Sequence, residues 1–233
     1  PPGGLETSGR RKLPRGLAML NGATTTNHLF VADWNNNRVM VFDVSSITDG
    51  ENAVYVIGQS SFTTATQGTT ASTFKNPVGL AIYDNSATTS TPNTMLFVAD
   101  SNNYRVPVFD TSAISTGMSA FVVLGQQNLT SAATSINTTT LYGGPQMIAV
   151  DSTYLYVSSY NANRVMIFDI SGTSNSGAVT GEAAVNVLGQ SSFTSSGQAT
   201  TQSGLSVPYG IGVTPTRLYV GDWSDYRIMI YDL

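Results

Sequence analysis

Hydrophobic residues along this chain fall in short runs, separated by stretches of Ser, Thr, Asn and Gly. The runs recur. Four 15-residue segments align without a gap: LFVADWNNNRVMVFD from Leu29, LFVADSNNYRVPVFD from Leu96, LYVSSYNANRVMIFD from Leu155 and LYVGDWSDYRIMIYD from Leu218. Their arginines, Arg38, Arg105, Arg164 and Arg227, stand 67, 59 and 63 residues apart. Such a period marks an array of like-built units. In each segment an apolar run ends in Asp or Ser, a polar turn follows, and a β-branched and aromatic run begins after Arg. That is the pattern of a β-hairpin. Both runs are apolar on successive residues, so each strand is expected to be buried on both faces.

A third strand precedes each hairpin: PRGLAM at Pro14, PVGLAI at Pro77, PQMIAV at Pro145 and PYGIGV at Pro208. Small residues recur there (Gly16, Ala18, Gly79, Ala81, Ala149, Gly210, Gly212). Crowding around a common axis demands small side chains. A fourth strand follows a polar loop, in AVYVIGQ at Ala53, AFVVLGQ at Ala120 and AVNVLGQ at Ala183. Four antiparallel strands, innermost to outermost, make a β-propeller blade. The expected fold is all-β: a propeller with blades over about 13–75, 76–143, 144–206 and 207–233. The fourth blade ends at Leu233 without its outer strand. The Gly/Pro-rich stretch before Leu13 is too polar to supply one. An unclosed arc leaves exposed edges, so the blades are expected to be part of a six-bladed propeller. Pro107 lies within a strand placed between two others, where proline removes a ladder donor. A bulge or weakened pairing is expected there.

The gapless D-x-N-N-x-R-V-x-V-F-D copies, each preceded by P-x-G-[LI]-A and an apolar run, resemble the NHL-repeat family. The resemblance covers nearly the whole chain. The family includes RNA-binding and protein-interaction propellers. It also has enzyme relatives such as peptidyl-amidating lyases and lactone-hydrolysing propellers. The third copy departs from the pattern, with Ser159 in place of the box Asp. The WD type is a poorer match. The Asp-Trp pairs at Asp33 and Asp222 fall at the turn, and no Gly-His precedes them.

Composition narrows the functions. Charged residues make up only 10% of the chain, against about 25% in ordinary globular domains. A low-charge, Ser/Thr-rich surface points to an extracellular, cell-surface or periplasmic setting, as in exported bacterial proteins. The net charge of −4 disfavours binding to a phosphate backbone. The basic cluster of Arg10, Arg11 and Lys12, with Arg15 nearby, reads as a solvated terminal segment. There is no cysteine, which excludes disulfides and thiolate metal sites. No apolar run approaches the length of a membrane span, so no membrane insertion is expected.

Asp33, Asp100 and Asp222 with the four arginines form the obvious charged constellation. Repetition in every blade favours a structural staple over a site, because a site needs one constellation. The box Asp is expected to accept from turn N–H groups. The Arg is expected to pair with a carboxylate, with Asp43, Asp110, Asp169 and Asp232 as candidate partners. Asp84 and Asp151 end two inner strands. They are the residues a calcium site would draw on, although strand-end turn residues is the plainer reading. His28 is the only histidine and is placed in a turn. A zinc site or a histidine base needs more than it offers. No Gly-x-Ser-x-Gly elbow or phosphate-cradling loop is present. The sequons at Asn128 and Asn137 matter only in a eukaryotic secretory protein.

The more specific signal is aromatic. In a propeller blade the loop between the second and third strands shares a face with the loop linking successive blades. Trp34, Tyr160 and Trp223 follow the box residue, and Tyr104 and Tyr226 precede the Arg. Aromatics amid polar loops either pack over the rim or form a recognition surface for a protein or a sugar ring. The expected function is a non-catalytic binding propeller for a protein or carbohydrate ligand, needing no cofactor. The alternative is a metal-dependent hydrolase or lyase working at the channel mouth. RNA binding is a third possibility that the acidic charge balance disfavours.

Overall fold

The computed structural model describes residues 13–21, 27–85, 94–171 and 178–233. The cluster Arg10, Arg11 and Lys12 lies outside them. Four antiparallel sheets are arranged as the blades of a β-propeller. The first holds β1 (Pro14–Asn21), β2 (Asn27–Asp33), β3 (Arg38–Asp43) and β4 (Tyr55–Ile57). The second holds β5 (Pro77–Asp84), β6 (Thr94–Asp100), β7 (Val106–Asp110) and β8 (Val122–Leu124). The third holds β9 (Pro145–Val150), β10 (Tyr154–Ser159), β11 (Arg164–Asp169) and β12 (Asn186–Leu188). The fourth has three strands: β13 (Pro208–Thr214), β14 (Arg217–Asp222) and β15 (Arg227–Asp232).

The apolar strands are buried on both faces where a blade has two neighbours. In β6, Leu96 and Val98 pack with Phe30, Ala32, Val39 and Val41 of the first blade. The alternate residues Phe97 and Ala99 pack with Leu155, Val157, Met166 and Phe168 of the third. A third core joins Tyr156, Val165 and Ile167 to Leu218 and Val220 of the fourth blade. Side chains alternate across a strand, so successive apolar residues serve two different cores. The end blades lack one of these cores. Leu17 and Met19 of β1 and Ile228 and Ile230 of β15 are exposed, between 50% and 68%.

The inner strands show why glycine recurs, and where it does not matter. A Cβ on Gly16 would lie 2.3 Å from the Val78 carbonyl oxygen, and one on Gly79 would lie 2.3 Å from that of Gln146. At Gly210 and Gly212 a Cβ meets nothing within 4 Å. The steric reading of the small residues is met at the first two; beside the last two no further blade stands among the described residues. Each inner strand shifts register near its leading proline. The pairing of β6 with β7 lapses beside Pro107. It stops at Phe97↔Val108 and resumes only as an isolated bridge, Asp100↔Arg105. The other three hairpins keep six consecutive pairs.

The Gly-Gln pair after each outer strand locks a loop. Gly58, Gly125 and Gly189 have φ of +87°, +77° and +86°. Gln59 donates to the carbonyls of Asn37 and Thr66, and its own oxygen accepts from Thr66 N–H. Gln126 and Gln190 repeat the donations. The open edges of β4 and β8 are covered by the next blade, whose Gly117 and Gly181 N–H groups bond Val56 and Val123. The sequon asparagines are turn formers here: Asn128 accepts from Thr130 and Ser131, and Asn137 from Thr139 and Thr140.

Candidate functional site

Each hairpin turn is one turn of 3-10 helix closed by a left-handed residue: Asn37, Tyr104, Asn163 or Tyr226, with φ between 51° and 55°. The box Asp and Arg anchor this turn. Arg38 Nε donates to Asp33 at 2.8 Å, Arg105 to Asp100 at 2.7 Å and Arg227 to Asp222 at 2.8 Å. The partner is thus the box Asp of the same hairpin. Asp43, Asp110 and Asp169 instead accept from Ser45, Ser112 and Ser171 of the loops that follow them. Asp232 meets only the exposed Arg217. A hairpin fixed in register sets Asp33 opposite Arg38, whereas the terminal Asp sits at the far end of the strand.

Within its own turn the box Asp takes a side-chain amide in place of a backbone N–H: Asn36 donates to Asp33 and Asn103 to Asp100. Asp100 accepts from the backbone N–H of Lys75, and Asp222 from that of Ser206, both in the segment entering the blade. Arg105 adds bonds to the carbonyls of Thr70, Thr73 and Leu129. The pair ties the hairpin turn to the loops before and after its blade. Burial pushes the Asp100 carboxyl up to about 6, against the pull of Arg105 and the Lys75 N–H. In the third blade Ser159 gives its hydroxyl to the Tyr142 carbonyl. Arg164 bonds the carbonyls of Phe193 and Thr140, and its buried Nε has no partner. Burial without a carboxylate lowers this guanidinium to about 10.

Other candidates fall apart. Among the described residues no three or more His, Cys, Asp or Glu side chains stand close enough to hold a metal ion. Asp151 accepts from Thr153, Tyr154 and the Tyr156 hydroxyl, as a turn residue does. His28 is not in a turn. It lies within β2 opposite Asp43, half-buried beside the rings of Phe30 and Tyr55.

The aromatics converge. A basin of about 930 Å³ opens at the mouth of the central channel, on the side of the hairpin turns. Tyr104, Tyr160, Trp223 and Tyr226 line it, with Arg15, Gln146 and Tyr209 from the inner strands. Tyr160, Tyr209 and Trp223 form a mutual cluster, with ring centroids 6.0–6.3 Å apart in tilted and edge-on pairs. Trp34 stands outside this cluster. The Arg15 guanidinium lies over its ring at 4.6 Å, while Arg15 Nη1 donates to the Tyr209 hydroxyl at 2.9 Å. Arg15, exposed on β1, thus lines the basin through contacts with aromatics of the first and fourth blades. Arg15, Gln146 and Tyr209 each follow the leading proline of an inner strand and line the basin, whereas Val78 at the same place in the second blade is buried.

Two of the turns carry tyrosine where asparagine is the easier left-handed residue. Asn37 and Asn163 use their amides to bond the Ala65 and Ser196 carbonyls. Tyr104 and Tyr226 have no such group, and both face the basin. Tyr226 is 94% exposed and Trp223 58% exposed. Both belong to the last blade, whereas the equivalent Asn37 and Asn163 are buried against the segment that enters the following blade.

No family model and no curated protein matches the sequence. Solved structures do. A humanized mutant of the Chaetomium thermophilum Polycomb Repressive Complex 2 matches with a TM-score of 0.55 and 9% identity, over 92% of this chain and 38% of that one. The Nidogen/Laminin complex matches at 0.48 and 13%, over 95% and 76%. Myxococcus xanthus glutaminyl cyclase matches at 0.46 and 12%, over 98% and 76%. The chain spans about 38% of the length of the first. At these identities the likeness is one of fold.

Proposed function

We propose that this chain is a non-catalytic binding propeller of the NHL type that takes a carbohydrate in the basin at its channel mouth. The observation that carries this reading is the convergence of Tyr160, Tyr209 and Trp223, contributed by two blades, around a concave space ringed by amides. Flat rings stack on the apolar faces of sugars, and amides such as Gln146 and Asn161 suit hydroxyl groups. A basin of about 930 Å³ is the size of a small-ligand site. A protein partner ordinarily needs about 800 Å² of complementary surface on each side. The charge-poor, Ser/Thr-rich loops support an extracytoplasmic setting.

Calorimetric titration with a panel of neutral and acidic oligosaccharides tests the reading. At least one should bind saturably, and Trp223→Ala should weaken it tenfold or more with the thermal midpoint unchanged. Binding that is equal in wild type and Trp223→Ala, or found only with a protein partner, removes the carbohydrate assignment.

A further inference from the structure

Two guanidinium groups line the basin, and among the described residues only one of them is engaged by a carboxylate. Arg227 is held by Asp222 and by the Gly204 carbonyl. Asp222 is the one carboxylate among the basin's lining residues, and it is buried and bonded to Ser206 N–H as well. Arg15, which is exposed, has no such partner among the described residues. The ion pairs among the described residues involve Arg38, Arg105, Arg217 and Arg227. Of the five N–H donors of Arg15, one goes to Tyr209 and the guanidinium face covers Trp34. These two contacts fix the direction of the plane and leave its remaining edge for an acceptor.

We propose that the ligand of the basin is an acidic saccharide, a uronic-acid oligosaccharide, with Arg15 receiving a sugar carboxylate. This rests on the reading of the basin as a carbohydrate site. A guanidinium edge matches a carboxylate in a two-bond fork. A cationic ligand is disfavoured, because Arg15 already occupies the π-face of Trp34 and puts its charge at the Tyr209 hydroxyl. A neutral sugar would leave the exposed Arg15 guanidinium, which no carboxylate among the described residues holds, without a matching group. The chain's net charge of −4 does not prevent anion capture. At physiological salt it is screened beyond about 8 Å, so the adjacent guanidinium dominates.

The test uses trimers of galacturonate, mannuronate and guluronate, each beside its methyl ester, which keeps the shape and removes the charge. Titration against wild type should give at least one acid that binds tenfold or more tighter than its ester. Arg15→Gln should bring that ratio close to one. Arg15→Lys should fall between, since it keeps the charge and loses the fork. Equal affinity for acid and ester in wild type, or a preference that survives Arg15→Gln, overturns the proposal and leaves the carbohydrate site standing. Failure of every acid and ester, alongside a neutral oligosaccharide that binds through Trp223, also overturns the proposal alone. Failure of every saccharide, with Trp223 fluorescence unmoved, overturns both.

Discussion

The middle blades and the end blades share one hairpin pattern, but their side chains meet different surroundings. Val108 and Ile167 are buried between blades, whereas Ile230, at the same place in the repeat, is 55% exposed. Gly79 is pressed against a neighbouring backbone, whereas Gly210 faces open space. Asp100 and Arg105 are sealed from solvent, whereas Arg227 of the equivalent pair is partly open. The repeat writes the same residue for both situations. A blade's residues are thus suited to two neighbours, and the energetic weight of each depends on how many it has.

That contrast can be broken by paired substitutions. The largest effect is expected from placing a charge in a core. Val108→Lys should cost about 4 kcal/mol or prevent folding, because an unpaired ammonium is stranded between blades. Ile230→Lys should change denaturant stability by less than about 0.5 kcal/mol. Comparable losses at both positions would mean that the end face is covered in solution.

Removing one partner of the sealed ion pair comes next. Asp100→Ala or Arg105→Ala should cost about 3 kcal/mol, since each leaves a buried group uncompensated. The same changes at Asp222 and Arg227 should cost less. Equal thermal midpoints for wild type and the Asp100 and Arg105 variants would defeat the staple. The pair also carries a pH signature. With the folded Asp100 carboxyl pushed up to about 6, between about pH 4 and 6 the folded chain holds a proton that the unfolded chain has released. This site's contribution to stability should therefore fall as the pH rises through that window. Asp100→Asn should lack the fall, which urea midpoints taken across the window would show.

Smaller effects sharpen the comparison. Gly79→Ala should cost about 2 kcal/mol, because its Cβ would overlap the Gln146 carbonyl. Gly210→Ala should be neutral or gain about 0.5 kcal/mol by restricting the unfolded chain. Two losses of equal size would show the fourth blade to be as crowded as the second. Ser159→Asp should stabilise the third blade by about 1 kcal/mol, by giving the orphaned Arg164 Nε the carboxylate its counterparts have. A fall in thermal midpoint would mean that the lost Ser159–Tyr142 bond outweighs the new pair.

The hairpins, the four-strand order, the missing outer strand of the fourth blade and the lapse at Pro107 were all legible in residue order. Each follows from patterning that acts over a few residues: successive apolar positions, a turn chemistry, a proline without a donor. Tyr104, Tyr160, Trp223 and Tyr226 could likewise be singled out by their place in the repeat. Arg15 and Tyr209 could not, because their meeting joins positions 194 apart in the chain.

Local sequence determined what each blade is and which way its strands face, because strand pairing and side-chain alternation are short-range properties of the backbone. Only the tertiary arrangement decided which apolar faces are covered, and that an inner-strand arginine of the first blade meets a tyrosine of the fourth. Those outcomes depend on the rotation from one sheet to the next about the channel, and no single repeat encodes it.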